Sequence, residues 1–232
     1  MAPDFVPRAI LFDLDNTLID FMRMKRASCE AAISAMVDAG LQIEKDAAYK
    51  ELFSLYDVHG IEDQRIFQKF LGKVAGGIDY KILASGITAY RRAQTGVLEP
   101  YPHVRSTLLR LKERGIKLGI VSDAPRLRAW IRLSEMNLAD FFDVVVTLGD
   151  TKRRKPSRLP FDAALKQMGM AADEILFVGD NPERDIAGAK RAGMKAALAK
   201  YGQTFDVKGP EPDYILKDIA DLLEIVRAPA AK

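Results

Sequence analysis

Short apolar runs that end in polar residues recur along this chain, and helical patterns separate most of them. The first run is Ala9-Ile10-Leu11-Phe12, which stops at Asp13. A continuous apolar run of this length, closed by turn residues, is typical of a strand buried on both faces of a parallel sheet. The runs of the same form cover residues 117–122, 143–147 and 174–180, with weaker candidates at 196–199 and 213–216.

Apolar side chains at helical spacing lie between and after these runs. The stripes are Val104, Leu108 and Leu111; Phe161, Ala164, Leu165 and Met168; Ile186 and Ala189, after the capping pair Asn181-Pro182; and Ile219, Leu222, Leu223 and Val226. Strands that alternate with helices favour βαβ units with right-handed crossovers. We therefore predict an α/β fold with a Rossmann-like core, in which helices cover both faces of a parallel sheet.

Residues 21–98 break this alternation and contain helical patterns only. Four apolar stripes occur there, separated by Gly40, Gly60 and the Gly76-Gly77 pair. Amphipathic helices of this kind can bury their stripes against one another as a small bundle. The predicted organisation is an α/β core of residues 1–20 and 99–232, with an all-helical cap domain of residues 21–98 inserted after the first strand.

Composition excludes several classes of protein. The 232 residues are 48% hydrophobic and 29% charged, which excludes a disordered chain. Lys and Arg (35) exceed Asp and Glu (32) by only three charges, so nucleic acid is not an expected partner. The single cysteine, Cys29, excludes an intrachain disulfide framework.

The hydropathy pattern of the sequence does not indicate a membrane helix or a secretory signal. No apolar run approaches the roughly 20 residues of a membrane helix, and residues 1–8 lack a basic start followed by an apolar stretch. We expect a cytoplasmic protein, monomeric or homodimeric, that does not bind membranes.

Polar residues with unusual chemistry follow the four strongest strands. The strand ends are Asp13-Leu14-Asp15-Asn16-Thr17, Ser122-Asp123, Lys155-Pro156 after a loop, and Gly179-Asp180 leading to Asp185. Ligands of open α/β sheets bind beyond the carboxyl ends of the strands, so these residues are expected to share one cleft.

Carboxylates that converge in one cleft repel unless a cation or a proton lies between them. An oxygen-rich cluster without histidine or cysteine favours a hard divalent cation, with Mg²⁺ as the first choice. Ser122 offers a hydroxyl and Lys155 a positive charge, and both suit an anionic oxygen. Together these groups predict a site that holds a phosphoryl group.

Each of these residues also has a purely structural interpretation. Asn181 and Ser122 can serve as caps, and Asp185 can complement a helix N-terminus. Lys155 belongs to the run Lys152-Arg153-Arg154-Lys155, and such runs are usually solvated loops. Each structural interpretation explains one position. None of them explains why all four strand ends carry polar or charged residues that suit a phosphoryl group.

At these positions the sequence resembles the haloacid dehalogenase superfamily, in particular its phosphatases with a helical cap. Residues 12–18, Phe-Asp-Leu-Asp-Asn-Thr-Leu, are similar to the first motif of that family, and Val121-Ser122-Asp123 to the second. Lys155-Pro156 resembles the third motif, and residues 179–185 the fourth. The pair Ser157-Arg158 departs from the Asp-Pro that many relatives carry, outside the chemistry.

The resemblance implies a mechanism and a role for each matching residue. Asp13 would attack phosphorus to form an aspartyl-phosphate, and Asp15 would act as the general acid and base. The metal, Mg²⁺, would be held by Asp13, Asp180 and the main-chain carbonyl of Asp15, with Asp185 bound directly or through water. The substrate-binding residues would be Leu14 and Asp123 through their amides, together with Thr17, Ser122 and Lys155.

The substrate is expected to be a small phosphorylated metabolite, such as glyceraldehyde 3-phosphate, phosphoglycolate or another sugar phosphate. The cap would close over the cleft and contribute to specificity, with Asp20, Arg23, Lys25 and Arg26 as candidates whose roles stay open. Alternatives are a phosphomutase or phosphotransferase and, less favoured, a haloacid dehalogenase or a phospho-acceptor protein without turnover. Asp15 favours phosphate chemistry, because halide leaves without a proton.

Overall fold

The computed structural model describes residues 5–203 and 207–226, so residues 1–4, 204–206 and 227–232 lie outside it. Two compact units are present: residues 1–20 with 99–232, and residues 21–98. The assignment of these units as catalytic core and cap stays a prediction. In the part of the chain that the structure describes, no helix combines the length and apolarity needed to cross a membrane.

The first unit is built on a parallel sheet. Its strands are β1 Ala9–Phe12, β2 Lys117–Ser122, β3 Val144–Thr147, β4 Ile175–Gly179, β5 Lys195–Ala199 and β6 Tyr214–Leu216. They lie in the order β3-β2-β1-β4-β5-β6, and every neighbouring pair is parallel. The strand order reverses direction at β1, where β2 and β4 flank it, and this is where ligands of open α/β sheets bind.

Ten α-helices lie in the described residues of the two units. They are α1 Phe21–Asp38, α2 Lys45–His59, α3 Ile66–Ala75, α4 Tyr80–Val97, α5 Val104–Glu113, α6 Arg126–Glu135, α7 Leu148–Thr151, α8 Arg158–Met168, α9 Ala187–Arg191 and α10 Leu222–Ile225. A π-helical turn, Pro182–Ile186, precedes α9. Short 3₁₀ helices cover Ala139–Phe141, Ala172–Glu174, Lys200–Gly202 and Ile219–Asp221.

Both faces of the sheet are covered, as expected for strands without alternating polarity. On one face Leu11 and Phe177 pack with Phe161 of α8 and with Ile186 in a single apolar cluster. Side chains alternate along a strand, and the intervening residues Ile10, Phe12, Leu118, Ile120, Leu176 and Val178 are fully buried as well. The predicted α/β fold class with inserted helices is confirmed.

The second unit consists of α1 to α4 and has its own apolar core. Asp79 caps α4 by accepting hydrogen bonds from the amides of Lys81 and Ile82. The core of this unit is formed by side chains from the predicted stripes, among them Cys29, Ile33, Met36, Leu52, Tyr56, Phe70, Leu71 and Leu83. Residues 21–98 therefore bury their apolar stripes as a helical bundle.

Candidate active site

The candidate site lies at the carboxyl ends of β1, β2 and β4, three adjacent strands of the sheet. Asp13 directly follows β1, Ser122 ends β2, and Asp180 directly follows β4. The main chain continues the sheet at this point, because the amide of Asp13 donates to the carbonyl of Val178 at 2.8 Å. The predicted site residues of these strands therefore start from one edge of the sheet.

Three carboxylates converge at this edge. One carboxylate oxygen from each of Asp13, Asp180 and Asp185 lies within 4.8 Å of the others, and all three residues are buried. Carboxylates so close together and so far from water repel one another strongly. The cluster therefore requires a positive partner or bound protons.

A glycine makes room for the third carboxylate. A Cβ atom built on Gly179 would lie 2.5 Å from Cβ of Asp185, so a larger residue would collide with the aspartate. Asp185 is also held by the amide of Asn181, which donates to Oδ2 at 3.0 Å. Asn181 in turn caps the following turn through the amides of Glu183 and Arg184, as the sequence predicts.

Lys155 is the positive side chain in contact with the cluster. Its Nζ lies 2.6 Å from Oδ1 of Asp13 and 2.7 Å from Oδ1 of Asp185. Its amide donates to Oδ1 of Asp123 at 2.9 Å, which fixes the loop after α7 to the loop after β2. Burial alone would lower the pKa of Lys155, but the carboxylates of Asp13 and Asp185 raise it well above its usual range. Lys155 is therefore a buried ammonium and not part of a solvated loop.

One lysine does not balance the cluster. Burial raises the pKa of Asp13 to about 7 against the lowering effect of Lys155, and Asp185 and Asp15 add to the rise. Burial, followed by the charges of Asp185 and Asp13, raises the pKa of Asp180 to about 8. Oδ1 of Asp180 is buried and accepts no hydrogen bond from the described residues. An acceptor of this kind, in an all-oxygen cluster, fits a hard cation.

A charge count leads to the same result. Five aspartates belong to this region, namely Asp13, Asp15, Asp123, Asp180 and Asp185, and three cations face them, namely Lys155, Arg132 and Arg184. Among these side chains of the described residues, the negative charges exceed the positive charges if all are ionised, and a bound cation would reduce that excess.

The raised pKa values predict how the stability of the metal-free protein changes with pH. Asp13 and Asp180 have pKa values of about 7 and about 8 in the folded chain, above the ordinary value of 3.8. The folded state therefore binds more protons than the unfolded state between about pH 4 and about pH 8, and their contribution to the free energy of unfolding falls as the pH rises through that window.

Urea unfolding with excess chelator, from about pH 5 to about pH 9, measures this contribution. We expect Asp180→Asn to show a smaller loss of unfolding free energy with rising pH than the wild type, and a higher urea midpoint at about pH 8. Asp173→Asn, at an exposed position, is the matched control and should follow the wild type. If the unfolding free energy of Asp180→Asn fell with pH as steeply as that of the wild type, the raised pKa of Asp180 would be contradicted.

The side chain of Asp15, the predicted general acid and base, contacts an arginine that the sequence analysis missed. Nη1 of Arg132 donates to Oδ1 of Asp15 at 2.9 Å and to Oδ2 at 2.7 Å. Arg132 lies on α6 and is buried. The carboxylates gathered in the cluster are thus Asp13, Asp180 and Asp185, whereas Asp15 is engaged by Arg132.

The other predicted substrate-binding residues lie in the turns after β1 and β2. Oγ of Ser122 accepts a hydrogen bond from the amide of Ala124 at 3.1 Å and so caps its turn. The hydroxyl proton of Ser122 is not used in this hydrogen bond. Asp123 lies beside Arg184, with Oδ2 3.7 Å from Nη1. Leu14 and Thr17 are fully buried, and the carbonyl of Thr17 accepts from the hydroxyl of Tyr201 at 2.8 Å.

The specificity candidates near the start of the helical unit differ in burial. Lys25 is buried within that unit, where Nζ donates to the hydroxyl of Tyr90 at 3.1 Å and lies 4.2 Å from the ring centroid of Tyr56. Arg23 and Arg26 are exposed. Asp20 belongs to the first unit and is half-buried. The ammonium of Lys25 therefore lies in a cation–π environment.

Comparisons with known proteins agree with this architecture. A family model described as haloacid dehalogenase-like hydrolase matches residues 10–199. The chain is 34% identical over 221 residues to a glyceraldehyde 3-phosphate phosphatase of Methanocaldococcus jannaschii, covering 95% of this chain and 97% of that protein. It is 31% identical to the pyrophosphatase PpaX of Oceanobacillus iheyensis, covering 94% and 96%.

A solved structure extends the likeness to the fold. The crystal structure of a HAD (haloacid dehalogenase) phosphatase from Thermococcus onnurineus superposes with a TM-score of 0.72 at 26% identity, covering 96% of this chain and 99% of that one. The resemblance that the sequence motifs indicate is thereby confirmed. This chain belongs to the haloacid dehalogenase-like hydrolase family.

Proposed function

We propose that the protein is a metal-dependent phosphatase that transfers the phosphoryl group of a small phosphomonoester to Asp13 and then to water. The observation that carries this proposal is the buried cluster of Asp13, Asp180 and Asp185 around the ammonium of Lys155. The names of the relatives, which are phosphatases and a pyrophosphatase, support the same chemistry.

Asp13 is the nucleophile in this proposal. A carboxylate oxygen of Asp13 attacks phosphorus, the bond between phosphorus and the leaving oxygen breaks, and an aspartyl-phosphate forms. Asp15 gives its proton to the leaving oxygen, which departs as an alcohol. Lys155, already against Oδ1 of Asp13, holds the nucleophile in place and offsets the negative charge of the incoming phosphoryl group.

The second step returns the site to its starting state. Asp15, now a carboxylate, removes a proton from water as the water oxygen attacks phosphorus. The bond between Asp13 and phosphorus breaks and inorganic phosphate leaves. Ser122, through its hydroxyl, and the amides of Leu14 and Asp123 are the proposed contacts of the phosphoryl oxygens, with Thr17 ordering the turn after β1.

Mg²⁺ is the proposed metal, and Asp13, Asp180, Asp185 and the main-chain carbonyl of Asp15 are its proposed ligands. Carboxylate and carbonyl oxygens are the ligands that Mg²⁺ prefers, and Asp13, Asp180 and Asp185 offer carboxylate oxygens. When bound, the cation would neutralise charge on the carboxylates and on the phosphoryl group. Without it, Asp13 and Asp180 retain protons near neutral pH, because burial raises their pKa values.

A small phosphorylated metabolite is the proposed substrate. Glyceraldehyde 3-phosphate is the first candidate, because relatives that match nearly the whole chain carry that name, and phosphoglycolate or other sugar phosphates follow. In this proposal residues 1–20 and 99–232 form the catalytic core and residues 21–98 the substrate-selecting cap. The proposed setting is a cytoplasmic monomer or homodimer that binds neither nucleic acid nor membranes.

A panel of phosphorylated metabolites tests the proposal. The purified protein is supplied with Mg²⁺ and with glyceraldehyde 3-phosphate, phosphoglycolate, hexose phosphates, pyrophosphate or p-nitrophenyl phosphate in turn, and inorganic phosphate is measured. We expect release from small monoesters, with the highest kcat/KM for a three-carbon or two-carbon substrate. Asp13→Asn, purified in the same way, shows how much phosphate a contaminating phosphatase releases.

Two results of this panel would overturn the proposal. Formation of an isomeric sugar phosphate without free phosphate would assign a phosphomutase. Release of halide from a 2-haloacid without added metal, and no phosphate from any ester, would assign a dehalogenase.

A further inference from the structure

Arg132 pairs with the side chain of Asp15 but has no role in the two chemical steps proposed above. Both oxygens of the Asp15 carboxylate accept from Nη1 of Arg132, at 2.9 Å and 2.7 Å. The side chain of Arg132 is only 4% exposed, whereas that of Asp15 is 22% exposed. The buried guanidinium of Arg132 therefore holds the Asp15 carboxylate, while part of the Asp15 side chain stays exposed to solvent.

A buried arginine is a costly way to stabilise a fold. Removing the guanidinium from water is unfavourable, and an ion pair of this kind often adds little net stability. On α6 the buried residues are Ala129, Arg132 and Leu133, whereas Leu127 and Trp130 are exposed. The helix thus buries a charged residue and leaves two large apolar residues in solvent, which favours a role for Arg132 at the site over a role in packing.

The position of α6 links this arginine to the rest of the site. The helix begins four residues after Ser122, and its N-cap is Pro125. Ser122 and Asp123, the proposed phosphoryl contacts, therefore lie just before α6, and Arg132 lies in the second turn of that helix. Because a helix is rigid over this distance, the carboxylate of Asp15 and the turn after β2 keep a fixed separation.

We propose that Arg132 is a positioning residue that fixes the orientation of the Asp15 carboxylate for proton transfer to the leaving oxygen. This inference rests on the proposed function, in which Asp15 is the general acid. In the acid form one carboxyl oxygen of Asp15 carries the proton for the leaving group, and the other accepts from Nη1 of Arg132. This hydrogen bond restricts rotation of the Asp15 side chain, and general acid catalysis depends strongly on such placement. Arg132 itself touches neither phosphorus nor the leaving oxygen in this account.

Dependence on the leaving group separates positioning of the acid from other roles. In the first step the proton of Asp15 passes to the leaving oxygen as its bond to phosphorus breaks. Phenoxide is basic, with a conjugate-acid pKa of about 10, and needs that proton, whereas 2,4-dinitrophenoxide is a stable anion that leaves without it. The two aryl phosphates have similar shapes, and kcat/KM for each reports the steps up to formation of the aspartyl-phosphate.

The test compares Arg132→Met with the wild type on phenyl phosphate and 2,4-dinitrophenyl phosphate in the presence of Mg²⁺. We expect kcat/KM for phenyl phosphate to fall by about tenfold or more, and kcat/KM for 2,4-dinitrophenyl phosphate to change by less than about threefold. Arg132→Lys, which retains one charged donor, should recover part of the loss. Arg126→Gln, at an exposed position of the same helix, is the matched control and should behave as the wild type.

A double-mutant cycle with Asp15 completes the test. If Arg132 acts through Asp15, Arg132→Met should have almost no further effect on phenyl phosphate in an Asp15→Asn background. An equal loss of kcat/KM for both aryl phosphates would overturn the inference, because it would indicate direct binding of the phosphoryl group. Retained activity on 2,4-dinitrophenyl phosphate shows that the variant is folded, and Arg132→Lys carries the comparison where Arg132→Met does not fold.

The cycle also distinguishes this inference from the proposed function. If Asp15→Asn itself lowers kcat/KM for both aryl phosphates equally, Asp15 is not the general acid and the proposed role of that residue fails. If Asp15→Asn affects phenyl phosphate selectively and Arg132→Met does not, the role of Asp15 stands and only the positioning role of Arg132 is overturned.

Discussion

Replacement of Asp13 by asparagine is expected to lower kcat for phosphate release by at least about a thousandfold, since the loss of a nucleophile removes the covalent route altogether. Asp13 is the carboxylate of the cluster that directly follows β1, and it lies 2.6 Å from the ammonium of Lys155. An amide at this position is a poor nucleophile and cannot form the aspartyl-phosphate. Steady-state phosphate release on the best ester of the substrate panel measures the loss.

Loss of fold must be separated from loss of the nucleophile. Burial raises the pKa of Asp13 to about 7, so ionisation of this residue opposes folding of the metal-free chain above that pH. Asp13→Asn should therefore unfold at a higher urea concentration than the wild type at about pH 8 in excess chelator. A stable variant with wild-type activity would remove Asp13 from the chemistry.

Removal of the metal is the second change with a large expected effect. In excess chelator, kcat is expected to fall by at least about a thousandfold, because Lys155 alone would then offset the negative charge of the phosphoryl group and Asp13 would retain its proton near neutral pH. Addition of Mg²⁺ beyond the chelator should restore the rate. Asp180→Asn, which removes a proposed ligand whose Oδ1 is buried and accepts no hydrogen bond from the described residues, should need a higher concentration of Mg²⁺ for half-maximal activity.

Thermal unfolding gives a second measure of the same site. A ligand that binds only the folded state stabilises it by about 2.7 kcal/mol at a hundred times its Kd. Mg²⁺ should therefore raise the Tm of the wild type and raise that of Asp180→Asn less, with Asp173→Asn again as the exposed control. Undiminished turnover in excess chelator would contradict the metal requirement.

Local patterns were sufficient for the sheet and for most of the strand-end residues. A strand buried on both faces must be apolar throughout, so β1 and β4 are recognisable from their sequences alone. A polar residue that ends such a strand lies at the edge of the sheet where ligands bind, which is how Asp13, Ser122 and Asp180 were predicted.

Helix α6 and its arginine could not be predicted in the same way. The segment exposes Leu127 and Trp130 and buries Arg132, which is the reverse of the pattern on which helix prediction depends. Arg132 and Asp15 are 117 residues apart, and nothing near either residue indicates that they meet. Such a contact arises only from the tertiary fold. The burial of Lys155, inside a basic run that normally indicates a solvated loop, has the same origin.

Detection of a phosphoryl group on Asp13 is the most direct test of the central claim. The protein is mixed with Mg²⁺ and excess 2,4-dinitrophenyl phosphate, quenched with acid during turnover, digested and analysed by mass spectrometry, with Asp13→Asn treated in parallel. The account predicts an acid-stabilised phosphoryl group on the peptide that contains Asp13, and none in the variant. Phosphate release without any covalent adduct, or an adduct on a different residue, would contradict it.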